Sequence, residues 1–241
     1  FIYKKKNYLR ETNFICKFLP KKKKSQILDL GTGTGSHLIN LIKKGHAVDG
    51  VEISSNMLKI AKRKIAKNNI KKNFNLYKKD LIKFKGRKNN YDAIISLFHV
   101  INYLKNINSL KKFFLNSHKG LKRDGILLFD CWNEQIIKKN KLTNSKKTIL
   151  LNGYKIVRHG NIKIKNRKKI EVLYEFRIYQ KDKLISKFFE EHILHSFSKA
   201  EILEASKGKF LLTNNCLWFN KRKSPGEKDF STLFIFKKII S

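Results

Sequence analysis

The sequence predicts an α/β fold: a mostly parallel sheet with an antiparallel C-terminal strand and a β-rich insertion. Three observations predict it. In the first half, short apolar runs alternate with stretches of helical period, the mark of βαβ units. A glycine-rich turn, Gly31-Thr32-Gly33-Thr34-Gly35, follows the first run and opens the next helical stretch. Beyond about residue 150, Ile170, Val172, Tyr174, Phe176 and Ile178 alternate with mostly polar neighbours, as in an antiparallel strand with one wet face.

Taken in order, residues 7–19 read as a helix with Leu9, Phe14, Ile15 and Phe18 on one side. Ile27–Leu30 is a short buried strand, and after the glycines Leu38, Ile39, Leu41 and Ile42 mark a helix. Ala47–Glu52 is the second strand. Ser54 or Ser55 caps a helix on which Met57, Leu58, Ile60 and Ala61 recur at helical spacing. Phe74–Tyr77, reaching Asp80, and Tyr91–Ser96 are the third and fourth strands. A helix over Ser109–Leu121 and a turn at Arg123-Asp124-Gly125 lead to a fifth strand, Ile126–Asp130. Residues 150–195 read as the β-rich insertion. Ser198 and Glu201 form a capping box for a helix that stops at Gly208. Strands near 210–219 and 231–238 complete the sheet. With only Pro20 and Pro225 as breakers and no Gly/Ser linker, the chain reads as one domain over 1–241.

The 241 residues, 41% of them hydrophobic, suffice for one well-buried core. No apolar run is long enough for a membrane span, and Phe1–Lys6 lacks the apolar core of a signal peptide. The absence of an initiator Met fits either a truncated start, with a few N-terminal residues missing, or a processed one. Cys16, Cys131 and Cys216 show no CxxC spacing, which argues for reduced thiols in a cytoplasmic protein and against a metal site. The net charge of +37 suggests a polyanion binder. However, Lys outnumbers Arg 47 to 8, and phosphate and base recognition favour the bidentate Arg fork. The lysines also lie in every segment. Compositional bias explains them better than a nucleic-acid partner does.

The glycines permit a tight turn and a close approach of backbone to ligand. Ser36 stands where a dinucleotide fingerprint would have its third glycine, which weakens the nicotinamide-dinucleotide reading. Glu52 ends the next strand, where a carboxylate can accept both hydroxyls of a ribose. In an isolated strand it would read first as a solvated strand-tip acid; placed after this glycine loop and before Ser54-Ser55-Asn56-Met57, the ribose role is the better reading. Asp29 could orient the loop, approach an amino group, or be an ordinary polar residue at a strand end.

Asp29-Leu30-Gly31-Thr32-Gly33-Thr34-Gly35, with Glu52 after it, resembles motif I and the following acid of class I S-adenosylmethionine-dependent methyltransferases. Lys6–Glu11, Ser96–Leu104, Phe129–Trp132 and His192–Glu201 extend the resemblance to the small-molecule branch, and within it to nucleotide-linked amino-sugar N-methyltransferases. Leu121-Lys122-Arg123-Asp124-Gly125 departs from the branch's L-K-P-G-G at a turn. The resemblance implies a Rossmann-like fold with a seven-stranded sheet. It also implies S-adenosylmethionine as cofactor, held by Tyr8, Asp29, Gly31, Thr32, Gly33, Gly35, Glu52, Ile53, Met57, Asp80, Leu81 and Ser96. Asp80 is placed for an adenine amino group, though a plain loop Asp is an even alternative. Tyr8 belongs to an N-terminal lid.

Methyl transfer needs positioning and, at most, removal of one proton; no metal is required. His99, after the fourth strand, is a candidate base or acceptor-positioning group, or lines the cofactor pocket. Trp132 could stack on a sugar or on adenine, or be a buried aromatic. Of His192 and His195, on opposite faces of one strand, one could face the acceptor; both could be structural. The expected function is methyl transfer to N or O of a small molecule, such as a sugar or nucleotide-linked sugar. Competing readings are a nucleic-acid methyltransferase, a non-catalytic cofactor-binding protein and a dinucleotide oxidoreductase. No N/D-P-P-Y/F segment follows the fourth strand, which counts against base methylation. The exposed edge of the insertion suggests a homodimer.

Overall fold

The computed structural model describes residues 6–139, 142–166 and 168–239. Five strands form the parallel part of a seven-stranded sheet: β1 (Gln26–Leu30), β2 (Ala47–Glu52), β3 (Phe74–Lys78), β4 (Tyr91–Ser96) and β5 (Leu121–Trp132). Two more, β10 (Phe210–Cys216) and β11 (Ser231–Lys238), extend it in the order β10-β11-β5-β4-β1-β2-β3, with β11 antiparallel to both neighbours. Alternate residues of these strands feed two cores. Leu127, Phe129, Phe234 and Phe236 face one side, with Phe113 and Phe114 of α4 (Ile107–Gly120). Leu128, Leu233 and Ile235 face the other, with Leu38 and Leu41 of α2 (Ser36–Lys43) and Phe14 and Ile15 of α1 (Tyr8–Ile15). The chain leaves β1 with β2 on one side and β4 on the other. This is the switch point where open α/β sheets bind ligands.

The insertion is a separate antiparallel sheet in the order β6-β7-β8-β9: β6 (Ser145–Leu151), β7 (Tyr154–Ile164), β8 (Lys169–Gln180) and β9 (Lys183–His195). It begins slightly before the expected residue 150. Its inner face, including Ile170, Val172 and Leu194, packs on Trp132 and on Ile137 of a short helix α5 (Glu134–Lys138). A 3₁₀ helix, Val100–Tyr103, fills the space between the two sheets' near ends, and its Asn102 reaches both β5 and β9.

Four expectations are corrected. The first helix spans Tyr8–Ile15 rather than 7–19, and Leu9 points to solvent. In α3 (Ser55–Lys67) the buried stripe is Leu58, Ala61 and Ile65. Met57 and Ile60 are exposed, because one helix face cannot hold all four apolar positions. The turn at Arg123-Asp124-Gly125 is absorbed into β5 as a bulge. There Tyr91 pairs with Leu121 and Ala93 with Ile126, and Asp124 adopts φ 60°. The strand expected near 210–219 is shorter, β10 ending at Cys216, whereas β11 has the expected bounds. The capping box of α6 (Lys199–Ser206) is formed as expected, Ser198 and Glu201 each accepting the other's backbone N–H.

Candidate active site

β1 is buried and central, so the chain must leave it and enter α2 within five residues. Gly31, Gly33 and Gly35 make that turn at φ +81°, +57° and +75°, a region that costs any residue with a Cβ. At Gly31 the backbone also has no room, because a Cβ would lie 2.6 Å from a Val100 methyl. The backbone N–H groups of Gly31 and Thr32 both donate to the Val51 carbonyl, at 2.8 and 3.0 Å, which pins the loop to the end of β2.

Glu52 closes this arrangement. Its Oε2 accepts from Gly33 N at 2.9 Å and its Oε1 from Ser54 N at 2.8 Å. The carboxylate is buried, oriented by backbone alone, and retains lone pairs for further donors. Asp29 lies beneath the loop and accepts the Thr32 hydroxyl at 2.7 Å. Burial raises its carboxyl to about 6, against the opposing pull of His37 and the Thr32 bond. Past β3, Asp80 folds back to accept Ile82 N at 2.7 Å. Asp80 lines a shallow depression with Ile53, Lys78, Lys79 and Lys83. Ile53 is exposed there, and Leu81 packs partly against the core. Met57 Sδ lies 3.7 Å from the place a Cβ would take at Gly33, so it flanks the loop. Ser96 is fully buried and donates to the Leu30 carbonyl at 2.9 Å. Its hydroxyl clamps β4 to the end of β1.

The N-terminal segment lies over this loop. Glu11 accepts from His37, the second residue of α2, at 2.8 Å and pairs with Lys6 at 3.1 Å. Tyr8 meets the His37 ring edge-on. Burial pushes the Glu11 carboxyl up, but its hydrogen bond with His37 and the Lys6 ammonium together hold it below its usual range. Lys6 reaches on to lie 3.8 Å above the Phe98 ring.

Phe98 and His99 sit at the end of β4 with φ 69° and 61°, two successive non-glycine residues in the left-handed region. Such strain persists only where its surroundings enforce it. Here Asp130 Oδ1 accepts His99 N at 2.9 Å, and the ring is walled by Phe98, Trp132 and Phe230. His99 Nε2 is buried, without a hydrogen bond, and 3.8 Å from Asp130 Oδ2. Burial lowers the imidazole's pKa, while Asp130 raises it. Trp132 is buried in the joint between the two sheets. His192 engages the Tyr103 hydroxyl at 2.9 Å from the insertion's inner face, whereas His195 contributes its carbonyl to Asn102. The predicted residues thus fall into two adjoining groups, one around the glycine loop and one around His99. Sequence reasoning missed Glu11, His37, Asn102 and Trp218. Among the described residues no cluster of His, Cys, Asp or Glu could hold a metal, and no helix is long and apolar enough to cross a membrane.

Residues 27–125 match a family model described as a methyltransferase domain. The chain is 34% identical over 123 residues to putative methyltransferase YqeM of Bacillus subtilis, covering 51% of this chain and 48% of that protein. It is 27% identical over 130 residues to the dTDP-3-amino-3,4,6-trideoxy-alpha-D-glucopyranose N,N-dimethyltransferase of Streptomyces venezuelae, covering 53% and 52%. The matched region is thus about half the length of each of these curated relatives. In structure it resembles an S-adenosylmethionine-dependent methyltransferase from Clostridium acetobutylicum over 98% of this chain and 96% of that one, with a TM-score of 0.80 at 21% identity. The fold is that of the class I methyltransferases, and residues 27–125 are the part that matches the methyltransferase-domain model.

Proposed function

We propose that this chain, whose residues 27–125 match the methyltransferase-domain model, transfers the methyl group of S-adenosylmethionine to a nitrogen or oxygen of a small molecule, a sugar or nucleotide-linked sugar. The observation that carries the cofactor is the Glu52 carboxylate, locked by Gly33 N and Ser54 N at the mouth of the glycine loop. Its fixed oxygens fit a ribose diol. The loop fits a ligand that must approach backbone closely, and the Ile53–Asp80 depression fits an adenine. Asp29 would face the amino group, and Tyr8 would lie over the bound cofactor with α1. When bound, the cofactor supplies a methyl group already activated on a sulfonium. The protein's own work is then to exclude water, hold the acceptor and receive a proton if one leaves. His99 is placed for the last task, with Trp132, His192 and His195 on the side where the insertion meets the domain. The sugar class rests on the Streptomyces relative's name and on the aromatic walls, since flat rings suit the apolar face of a sugar.

Calorimetry with S-adenosylhomocysteine tests the cofactor. Micromolar-range binding is expected for the wild type, and Glu52→Ala and Gly33→Val should each abolish it. Unchanged binding in both variants would overturn the assignment. Labelled methyl transfer offered to RNA and to a nucleotide-sugar pool separates the two acceptor classes. Loss of turnover in His99→Ala is expected, and an unchanged rate removes His99 from the reaction.

The same reading takes the chain as a single domain in a reducing, cytoplasmic setting, where its three unpaired thiols are stable. It further takes the protein as a homodimer joined along β9, an edge strand whose own sequence is self-complementary.

A further inference from the structure

We infer that Asp130 is the positioning residue for His99, fixing the imidazole's proton on Nε2 so that Nδ1 carries the free lone pair. This rests on the methyltransferase reading for what His99 does, but not for where its proton sits. The carboxylate of Asp130 is 2% exposed, and a buried carboxylate requires donors or a counter-ion. Oδ1 takes the backbone N–H of His99 at 2.9 Å, and Oδ2 takes the indole N–H of Trp218 at 3.2 Å. The group nearest to serve as counter-ion is the imidazole itself, with Nε2 at 3.8 Å from Oδ2.

The same Nε2 is buried without a hydrogen-bond partner. A nitrogen in that place is better satisfied carrying a proton aimed at the carboxylate than presenting a lone pair to it. The gap exceeds a hydrogen bond, and catalytic contacts of this kind often tighten only when the site is filled. Nδ1 is then the nitrogen left for the acceptor. A proton leaving the acceptor adds to Nδ1 and gives an imidazolium whose charge Asp130 balances. The other charged groups acting on the ring are Lys6, which opposes that charge, and Glu11, which favours it; both come from the N-terminal segment. The indole of Trp218 keeps Oδ2 from swinging away, and its own ring packs on Phe14 of α1. Asp130 thereby sets both the strained backbone of His99 and the tautomer of its ring.

The test is the ring ¹⁵N spectrum of His99, recorded through a pH titration without any acceptor. In the wild type the neutral ring should be protonated at Nε2. In Asp130→Asn the titration midpoint should fall by about one pH unit, the size of shift a neighbouring opposite charge produces. The acidic limb of the methyl-transfer rate should move down by the same interval, with S-adenosylhomocysteine binding unchanged. A merely structural Asp130 would lower the rate without moving the limb. Trp218→Phe keeps the carboxylate and should retain the Nε2–H tautomer. An Nδ1–H tautomer in the wild type, or an unmoved midpoint in Asp130→Asn, overturns the inference. If Asp130→Asn does not fold, an Nδ1–H tautomer in the wild type still overturns the inference. Failure of the wild type to bind S-adenosylhomocysteine overturns the methyltransferase reading instead and leaves the spectrum to judge this one.

Discussion

The Asp29 carboxyl, raised by burial to about 6 from 3.8, makes one residue answer for a pH dependence. A group whose folded pKa lies above its unfolded one stabilises the fold in its protonated form. That contribution is fully present below about 3.8 and is lost as pH rises through about 6. If Asp29 meets a ligand's ammonium group, the ligand demands the ionised form, so binding below that point must expel the proton. Affinity for S-adenosylhomocysteine is therefore expected to rise about tenfold per pH unit up to about 6 and then level off. Asp29→Asn should flatten the profile. Calorimetry at about pH 5 and pH 7 measures it, and equal wild-type affinities at the two values would exclude Asp29 from contact with the ligand's amino group. At this scale Glu52 and the glycines were legible because adjacency carries their chemistry. Trp218 was not, since its partner Asp130 lies 88 residues away and no spacing announces it.

At the scale of elements, the joint between the two sheets depends on Asn102 of the 3₁₀ helix. It is fully buried, its Oδ1 accepting from Trp132 N at 3.0 Å and its Nδ2 donating to the His195 carbonyl at 2.8 Å. Asn102→Ala leaves both backbone groups buried and unpaired, at a cost of roughly 1–3 kcal/mol each. A loss of about 2–6 kcal/mol by urea denaturation is expected, with the insertion's amide protons losing protection first. A change under about 0.5 kcal/mol, the range of an ordinary surface substitution, would show that packing alone holds the joint. The central strands were readable because β1, β2 and β4 are buried on both faces and so appear as apolar runs. The insertion was readable from its alternation. The five-residue α5 was not, being too short for a helical period. The stripe on α3 was misassigned because four apolar residues offered two overlapping faces. The packing of the N-terminal segment over the loop was expected only through Tyr8, since the pairing of Glu11 with His37 joins two helices whose contact no local pattern encodes.

At the scale of the whole molecule, a net charge of +37 opposes self-association, so a dimer seam must offer both matching surface and local charge balance. β9 does so. Ser196 N donates to Lys168 O on the β8 side, which turns the backbone of odd-numbered β9 residues outward; the His195 carbonyl, taken by Asn102, agrees. Pairing two copies antiparallel about Phe189 sets Phe189 against Phe189 and Lys187 against Glu191. Ile185, Phe189 and Ile193 are exposed by 49%, 54% and 53%, more than an edge strand normally tolerates without cover. On the inner face the second copy's Ser186 and Phe188 would stand opposite His192 and Glu190, adding to the wall beside the acceptor side. Analytical ultracentrifugation should therefore show a species of twice 28.4 kDa. Phe189→Lys and Glu191→Lys should each yield monomers. Lys187→Glu combined with Glu191→Lys should restore the dimer, because the exchange preserves the cross-strand pair. A monomeric wild type, or a Phe189→Lys variant that stays dimeric, would place the seam elsewhere and leave β9 as an edge guarded only by its bulge at Ile185 and its charges.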